Sequence, residues 1–240
     1  MVFRTFAWFT YFWIYLLAIQ PTLLKVNRLA KSGKIDEHDR LTNQTAKKWA
    51  HSLVHLAGVT VEIRGEENIP AEGPVLFVSN HQGNFDIPIL IGYISKPKAF
   101  IAKIELLKIP FIRTWMTHLK CVFMDRSDIR QSLKVINQAA AYLKEGYSMV
   151  IFPEGTRSKG DTLGEFKPGS LKLGLKAGVP IIPMAIQGSY KIMENNGFLI
   201  KPAHVKITIF EPIPTKGLTK EQAADLPDKV RNIIAEGLLR

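Results

Sequence analysis

Hydrophobic and polar residues change rhythm several times along this chain, and each change predicts an element. From Thr5 to Leu24 there is no charge at all: "TFAWFTYFWIYLLAIQPTLL". As one helix these twenty residues would roughly cross a ~30 Å hydrocarbon layer. Three features argue against a simple span. Phe6, Trp8, Phe9, Tyr11, Phe12, Trp13 and Tyr15 crowd the segment, and Trp and Tyr favour the membrane interface. Gln20–Pro21 interrupts it. Leu23, Leu24, Val26 and Leu29 then alternate with Lys25, Arg28 and Lys31, as in a helix lying on anionic headgroups. A monotopic anchor over residues 1–31 is therefore expected in preference to a single span. Lys25, Arg28, Lys31 and Lys34 outnumber Arg4, which puts the following domain, 32–240, on the cytoplasmic face of the membrane.

Beyond the anchor the pattern alternates between helix and strand. Residues 38–57 carry Leu41, Trp49, Leu53 and Leu56 at helical spacing, closed by Gly58. Val59 to Arg64 alternates as a strand. Short apolar runs at 75–78, 99–102, 148–152 and 181–186 read as buried strands. Helices are expected through Leu133, Ile136, Ala140 and Leu143, and from near Pro168 to Gly178. Residues 204–212 alternate again, and Thr219 to Gln222 is a capping box opening a last helix through Val230, Ile233 and Ile234. The sum is a single α/β domain: a mixed, largely buried sheet flanked by helices, preceded by the membrane-docking helical segment.

Composition adds limits. Hydrophobic residues make up 46% and charged ones 22%, which excludes a disordered chain. The lone Cys121 excludes a disulfide framework and a multi-cysteine metal site. Its position beside an apolar run reads as a buried spectator. No metal is expected: His51 and His55 share a helix face, but without the zincin glutamate, and the other histidines lack partners at ligand spacing. The net charge of +11 fits an anionic partner or a solvated basic surface. Nucleic acid is not that partner, because the aromatics are segregated at residues 3–15 rather than interleaved with basic residues.

Polar clusters end three of the apolar runs. In "FVSNHQGNFDIPI", His81 and Asp86 flank a Gly83–Asn84 turn. A carboxylate folded back onto the imidazole would fix its tautomer and leave the far nitrogen to take a proton from a hydroxyl. The same spacing also describes a hydrogen-bonded surface histidine. In "FPEGTRSKG", glycines and Arg157 are suited to phosphate, although a charged turn after a strand has the same composition. Arg126 follows "KCVFMD", where a surface ion pair is the plain alternative.

Taken together and in this order, N-H-x4-D, F-x-x-R, F-P-E-G-T-R-S and V-P-I-I-P resemble the glycerolipid acyltransferase family over roughly residues 50 to 215. The likeness is greatest to bacterial 1-acylglycerol-3-phosphate (lysophosphatidic acid) acyltransferases. The resemblance implies a catalytic His81–Asp86 pair. It implies an acceptor glycerol phosphate held by Arg126 and by Glu154, Gly155, Thr156 and Arg157. Val179 to Pro183 would be structural or line the acyl group, and Lys103 corresponds to a recurrent lysine. Two departures stand out: Lys120 or Cys121 occupies the usual glycine of the second motif, and Gly83 stands where serine is frequent.

The implied reaction moves a fatty acyl group from acyl-CoA or acyl-carrier-protein thioester to the free hydroxyl of lysophosphatidic acid, giving phosphatidic acid without a cofactor. Gly83 N–H and Lys103 are the candidate donors to the oxyanion. No covalent enzyme intermediate is needed, and no G-x-S-x-G elbow is present. The alternatives are a hydrolase, a transacylase on another lysophospholipid, an enzyme for glycerol-3-phosphate, and a non-enzymatic anionic-lipid-binding module.

Overall fold

A computed structural model describes residues 1–125, 127–167 and 169–239, with only the backbone for Ile129. The expectations for Arg126 and for a helix start at Pro168 therefore lie outside the described residues.

Two amino-terminal helices, α1 (Val2–Ala18) and α2 (Gln20–Lys31), precede the long helix α3 (Ile35–Leu56). Strands and helices then alternate: β1 (Thr60–Arg64), β2 (Leu76–Ser79), α4 (Asp86–Tyr93), β3 (Ala99–Lys103), α5 (Ile112–His118) and β4 (Val122–Met124). The second half is α6 (Ile129–Lys144), β5 (Met149–Ile151), α7 (Lys172–Ala177), β6 (Ile181–Gln187), β7 (His204–Ile209) and α8 (Lys220–Leu239).

The strands form one seven-stranded sheet in the order β1-β7-β6-β2-β5-β3-β4. β6 and β7 pair antiparallel, and the remaining ladders are parallel, so the sheet is mixed as expected. All four residues of β2 are buried, which is why it reads as an unbroken apolar run. β7 alternates because only one face of it is deeply covered.

This topology gathers the loops that matter. β2 lies between β5 and β6 and runs parallel to both, so all three strands release their chains at one end of the sheet. In open α/β sheets that end is where ligands bind. Lys98 secures the helix that starts there: its buried ammonium donates to the Leu90 and Ile94 carbonyls, at 2.9 and 3.1 Å, at the carboxyl end of α4. Burial pushes this lysine down to about 7. α3 crosses α4 at Gly92, where a Cβ would stand 2.8 Å from the His51 nitrogen; only glycine lets the two backbones approach so closely.

The amino-terminal helices have two unlike faces. Trp8 enters the main core, donates to the Leu53 carbonyl at 2.8 Å and packs 5.3 Å from Phe85. Leu16, Leu23 and Val26 form a second small core with Trp115. The expectation that Leu23, Val26 and Leu29 lie on headgroups is thus corrected: all three are buried within the protein, because α3 and α5 offer them apolar surface. What stays exposed on the pair is Phe3, Phe6, Phe9, Trp13, Ile14, Leu17 and Leu24, with Lys25, Arg28 and Lys31 beyond. Among the described residues no single helix is long and apolar enough to cross a membrane; α1 and α2, bent by 45°, meet that test only together.

Candidate active site

The loop leaving β2 is held by its own side chains. Asn80, buried, exchanges two 2.8 Å bonds with the backbone of Ile186, stitching the end of β2 to β6. Gln82, also buried, accepts the Gly188 and Ser189 N–H groups at 2.8 and 3.2 Å. With its neighbours fixed, the His81 backbone is clamped from the β5 side. Its N–H donates to Glu154 Oε1 at 2.7 Å and its carbonyl accepts from Ser158 at 2.8 Å. The imidazole lies flat against Phe152, ring centres 4.1 Å apart.

Asp86 completes the pair. Its Oδ2 is 2.7 Å from His81 Nδ1 and also accepts the N–H groups of Gln82, at 2.7 Å, and Gly83, at 3.0 Å. Oδ1 accepts from the Ser189 hydroxyl. This fully buried carboxylate also opens α4, where the helix dipole favours negative charge. A carboxylate has no proton to give, so Nδ1 is the donor and Nε2 carries the lone pair. Nε2 has no hydrogen bond among the described residues, and His81 borders a cavity of about 570 Å³. An imidazole set in this way can take a proton from a hydroxyl brought to it.

The cavity has apolar walls from both layers: Phe12 and Leu16 of α1, Trp49 of α3, Ile91 of α4, Trp115 of α5, and Cys121. His81, Lys103, Thr156 and Arg157 supply polar groups along it. Few polar groups converging on an apolar pocket is the usual form of a lipid or small-molecule site. A larger crevice of about 690 Å³ lies at the opposite end of the sheet, beside Gly73, Pro97 and Gly146, and none of these groups reaches it. The Cys121 thiol is pushed up to about 12 by burial, so it is no nucleophile at neutral pH.

The other expected site residues divide. Arg157 is half-exposed on the cavity, donates to Asn84 Oδ1, and lies 3.6 Å from Glu194. Thr156 is exposed beside it. Gly155 makes the turn between them and Glu154, with a φ of +68° that suits glycine. Glu154 corrects the expectation of a phosphate ligand. It is 5% exposed, and its two oxygens accept the N–H groups of His81 and Gly164, the latter at 2.8 Å. Burial raises its carboxyl above the ordinary range, and the two N–H groups work against that rise. Glu154→Ala should leave both N–H groups unpaired, at about 1–3 kcal/mol each. A clear fall in Tm is expected in thermal unfolding. An unchanged Tm with a raised KM for a phosphate-bearing acceptor would return Glu154 to the substrate.

Of the two expected oxyanion donors, Gly83 is already engaged, while Lys103 borders the cavity. The Gly83 N–H is directed to Asp86 Oδ2, and the exposed Lys103 ammonium binds Glu105 at 2.7 Å. Sequence reasoning missed the supports: Gln82, Ser189 and Glu194. Among the described residues no three metal-ligating side chains come together.

A family model described as Acyltransferase matches residues 60–187, more than half of the chain, and includes His81, Asp86 and the stretch from Glu154 to Arg157. The chain belongs to the acyltransferase family. A chloroplastic 1-acyl-sn-glycerol-3-phosphate acyltransferase of Brassica napus is 34% identical over 195 residues, covering 80% of this chain and 55% of that protein. A Mycoplasma pneumoniae protein named "Probable 1-acyl-sn-glycerol-3-phosphate acyltransferase" is 40% identical over 158 residues, 62% of this chain and 57% of its own. This acyltransferase-family chain thus spans little more than half the length of those two relatives. The crystal structure of the 1-acyl-sn-glycerophosphate (LPA) acyltransferase of Thermotoga maritima superposes with a TM-score of 0.86 at 28% identity, over 99% of this chain and 94% of that one.

Proposed function

We propose that this acyltransferase moves a fatty acyl group from a thioester to the free hydroxyl of 1-acylglycerol-3-phosphate, yielding phosphatidic acid. The observation that carries the reading is His81, oriented by buried Asp86, beside an apolar cavity that Arg157 also borders. The relatives' names support the same acceptor.

In the proposed reaction His81 Nε2 takes the acceptor's hydroxyl proton as the oxygen bonds to the thioester carbonyl carbon. The positive charge on the ring is met by Asp86. The tetrahedral intermediate collapses, the carbon–sulfur bond breaks, and the thiolate takes the proton back from His81. The attacking oxygen belongs to the substrate, so no enzyme ester forms. Acyl-CoA and acyl carrier protein both supply the required thioester. The apolar cavity offers the acyl chain shelter worth about 0.8 kcal/mol per CH₂, and Arg157 offers the phosphate a bidentate donor.

Acceptor and product reside in a bilayer, and we infer that residues 1–31 dock the chain on its cytoplasmic face. The support is the exposed row Phe3, Phe6, Trp13 and Leu17 on α1 with Lys25, Arg28 and Lys31 on α2. Replacing Phe3, Phe6 and Trp13 together by serine should weaken flotation with anionic vesicles and slow acylation of bilayer substrate. A short-chain, water-soluble lysophosphatidate should be acylated at nearly the normal rate. Undiminished flotation and bilayer activity would refute the docking.

The reaction itself is tested by following radiolabelled acyl-CoA and acyl carrier protein with a panel of acceptors. Phosphatidic acid formed only with lysophosphatidate is the expected result. Thioester hydrolysis independent of acceptor would make the chain a hydrolase, and no turnover with lipid binding would make it a binding module.

A further inference from the structure

Glu194 lies in a single 3₁₀ turn, Glu194–Asn196, in the chain after β6, outside every motif described above. Its side chain is 3% exposed. Oε1 accepts the main-chain N–H of Asn84 at 2.7 Å and stands 3.6 Å from Arg157 Nη1. Oε2 is buried and makes no hydrogen bond. The carboxylate fits there because position 83 is glycine: a Cβ at Gly83 would come within 2.4 Å of Oε2.

A buried carboxylate with one oxygen unpaired weakens a fold, so packing alone does not account for an acid at this point. Arg157 does. Its Nη1 donates to Asn84 Oδ1 and lies against Glu194, which itself holds the Asn84 N–H. A guanidinium is a rigid planar fork, so holding Nη1 orients the whole group. Its Nε and Nη2 edge has no hydrogen bond among the described residues, and Arg157 borders the cavity.

We propose that Glu194 is a positioning residue: it anchors Arg157 from behind, through the gap left by Gly83, and so presents the Nε and Nη2 edge to the acceptor's phosphate. The inference rests on the reading of Arg157 as the phosphate ligand. It adds a specificity element from the chain after β6, which the motif around Arg157 does not contain.

The test compares Glu194→Gln, Arg157→Ala and the double variant in full-length protein in mixed micelles, with KM measured separately for lysophosphatidate and acyl-CoA. Glutamine keeps an oxygen for the Asn84 N–H and nearly the same volume, and removes only the charge facing Arg157. KM for lysophosphatidate should rise about tenfold, the weight of one charge-assisted contact. The kcat and the acyl-CoA KM should stay within about twofold, and Glu194→Gln should add nothing to Arg157→Ala, as expected of coupled residues. If Glu194→Gln does not fold, Glu194→Asp serves instead; it keeps the charge but draws it back by one methylene, and the same split between substrates is expected. An acceptor KM unmoved by Arg157→Ala would overturn the phosphate reading itself. A response to Arg157→Ala with none to Glu194→Gln, or effects that add in the double variant, would overturn the positioning role alone. A lowered acceptor KM in Glu194→Gln would also overturn it, because Glu194 would then compete with the phosphate.

Discussion

Replacing His81 by alanine is expected to lower kcat by about 10²–10⁴, the usual weight of a lost general base. In activation terms that is about 3–5 kcal/mol. The acceptor KM should move much less, because the ring meets the hydroxyl while Arg157 meets the phosphate. The fold should survive, since the bonds that clamp this position run from the His81 N–H to Glu154 and from Ser158 to the His81 carbonyl. Those bonds do not involve the ring. What alanine removes is the stack on Phe152 and one partner of Asp86. Initial rates at saturating lysophosphatidate, read beside Tm and vesicle flotation, decide the matter. Near-normal turnover in folded, vesicle-bound His81→Ala protein would eliminate the general-base mechanism.

Much of the architecture was legible because it is local. The capping box at Thr219 forms both reciprocal bonds with Gln222, at 2.9 and 3.2 Å, and Gly178 ends α7 in the left-handed conformation. Strand order and direction were not legible. Nothing in the pattern of β7 says that it runs against β6 and with β1, because pairing is settled by packing between distant segments. The helical pattern expected for α6 holds at Ala140 and Leu143, which are buried, and at half-buried Ile136, but not at its first member. Leu133 is 62% exposed, and Val135 and Ala139 are buried beside Ala140 and Leu143, so the packed stripe widens toward the carboxyl end of the helix and leaves Leu133, near its start, in solvent.

The site divides along the same line. His81 and Asp86 stand five residues apart, and a short turn is enough to join them. Their supports come from far along the chain: Asn80 binds Ile186, 106 residues away, and Asn84 binds Glu194, 110 residues away. Glu154 was misassigned because a charged residue beside Gly155 and Arg157 has the composition of a phosphate loop. Only burial reveals that its carboxylate sits under His81.

Asp86→Asn should be nearly as damaging as loss of the histidine, with kcat reduced by up to about 10⁴. Asparagine is the informative change. Alanine would strand the Gln82 and Gly83 N–H groups and the Ser189 hydroxyl inside the protein, and instability would obscure the chemistry. An asparagine carbonyl can accept the same two N–H groups, and the Ser189 hydroxyl can turn to accept from the new amide. The turn should therefore hold, with Tm shifted by only a few degrees on the usual scale for small ΔΔG. What is lost is the negative charge that stabilises the imidazolium, because the carbonyl that takes the two N–H groups still accepts from Nδ1 but carries no charge. The defect should appear in kcat, with both KM values little changed, because Asp86 is fully buried and touches neither substrate. If Asp86→Asn instead keeps near-normal kcat, Asp86 is a turn-holding residue whose important partners are the two N–H groups, and His81 works as a base without it.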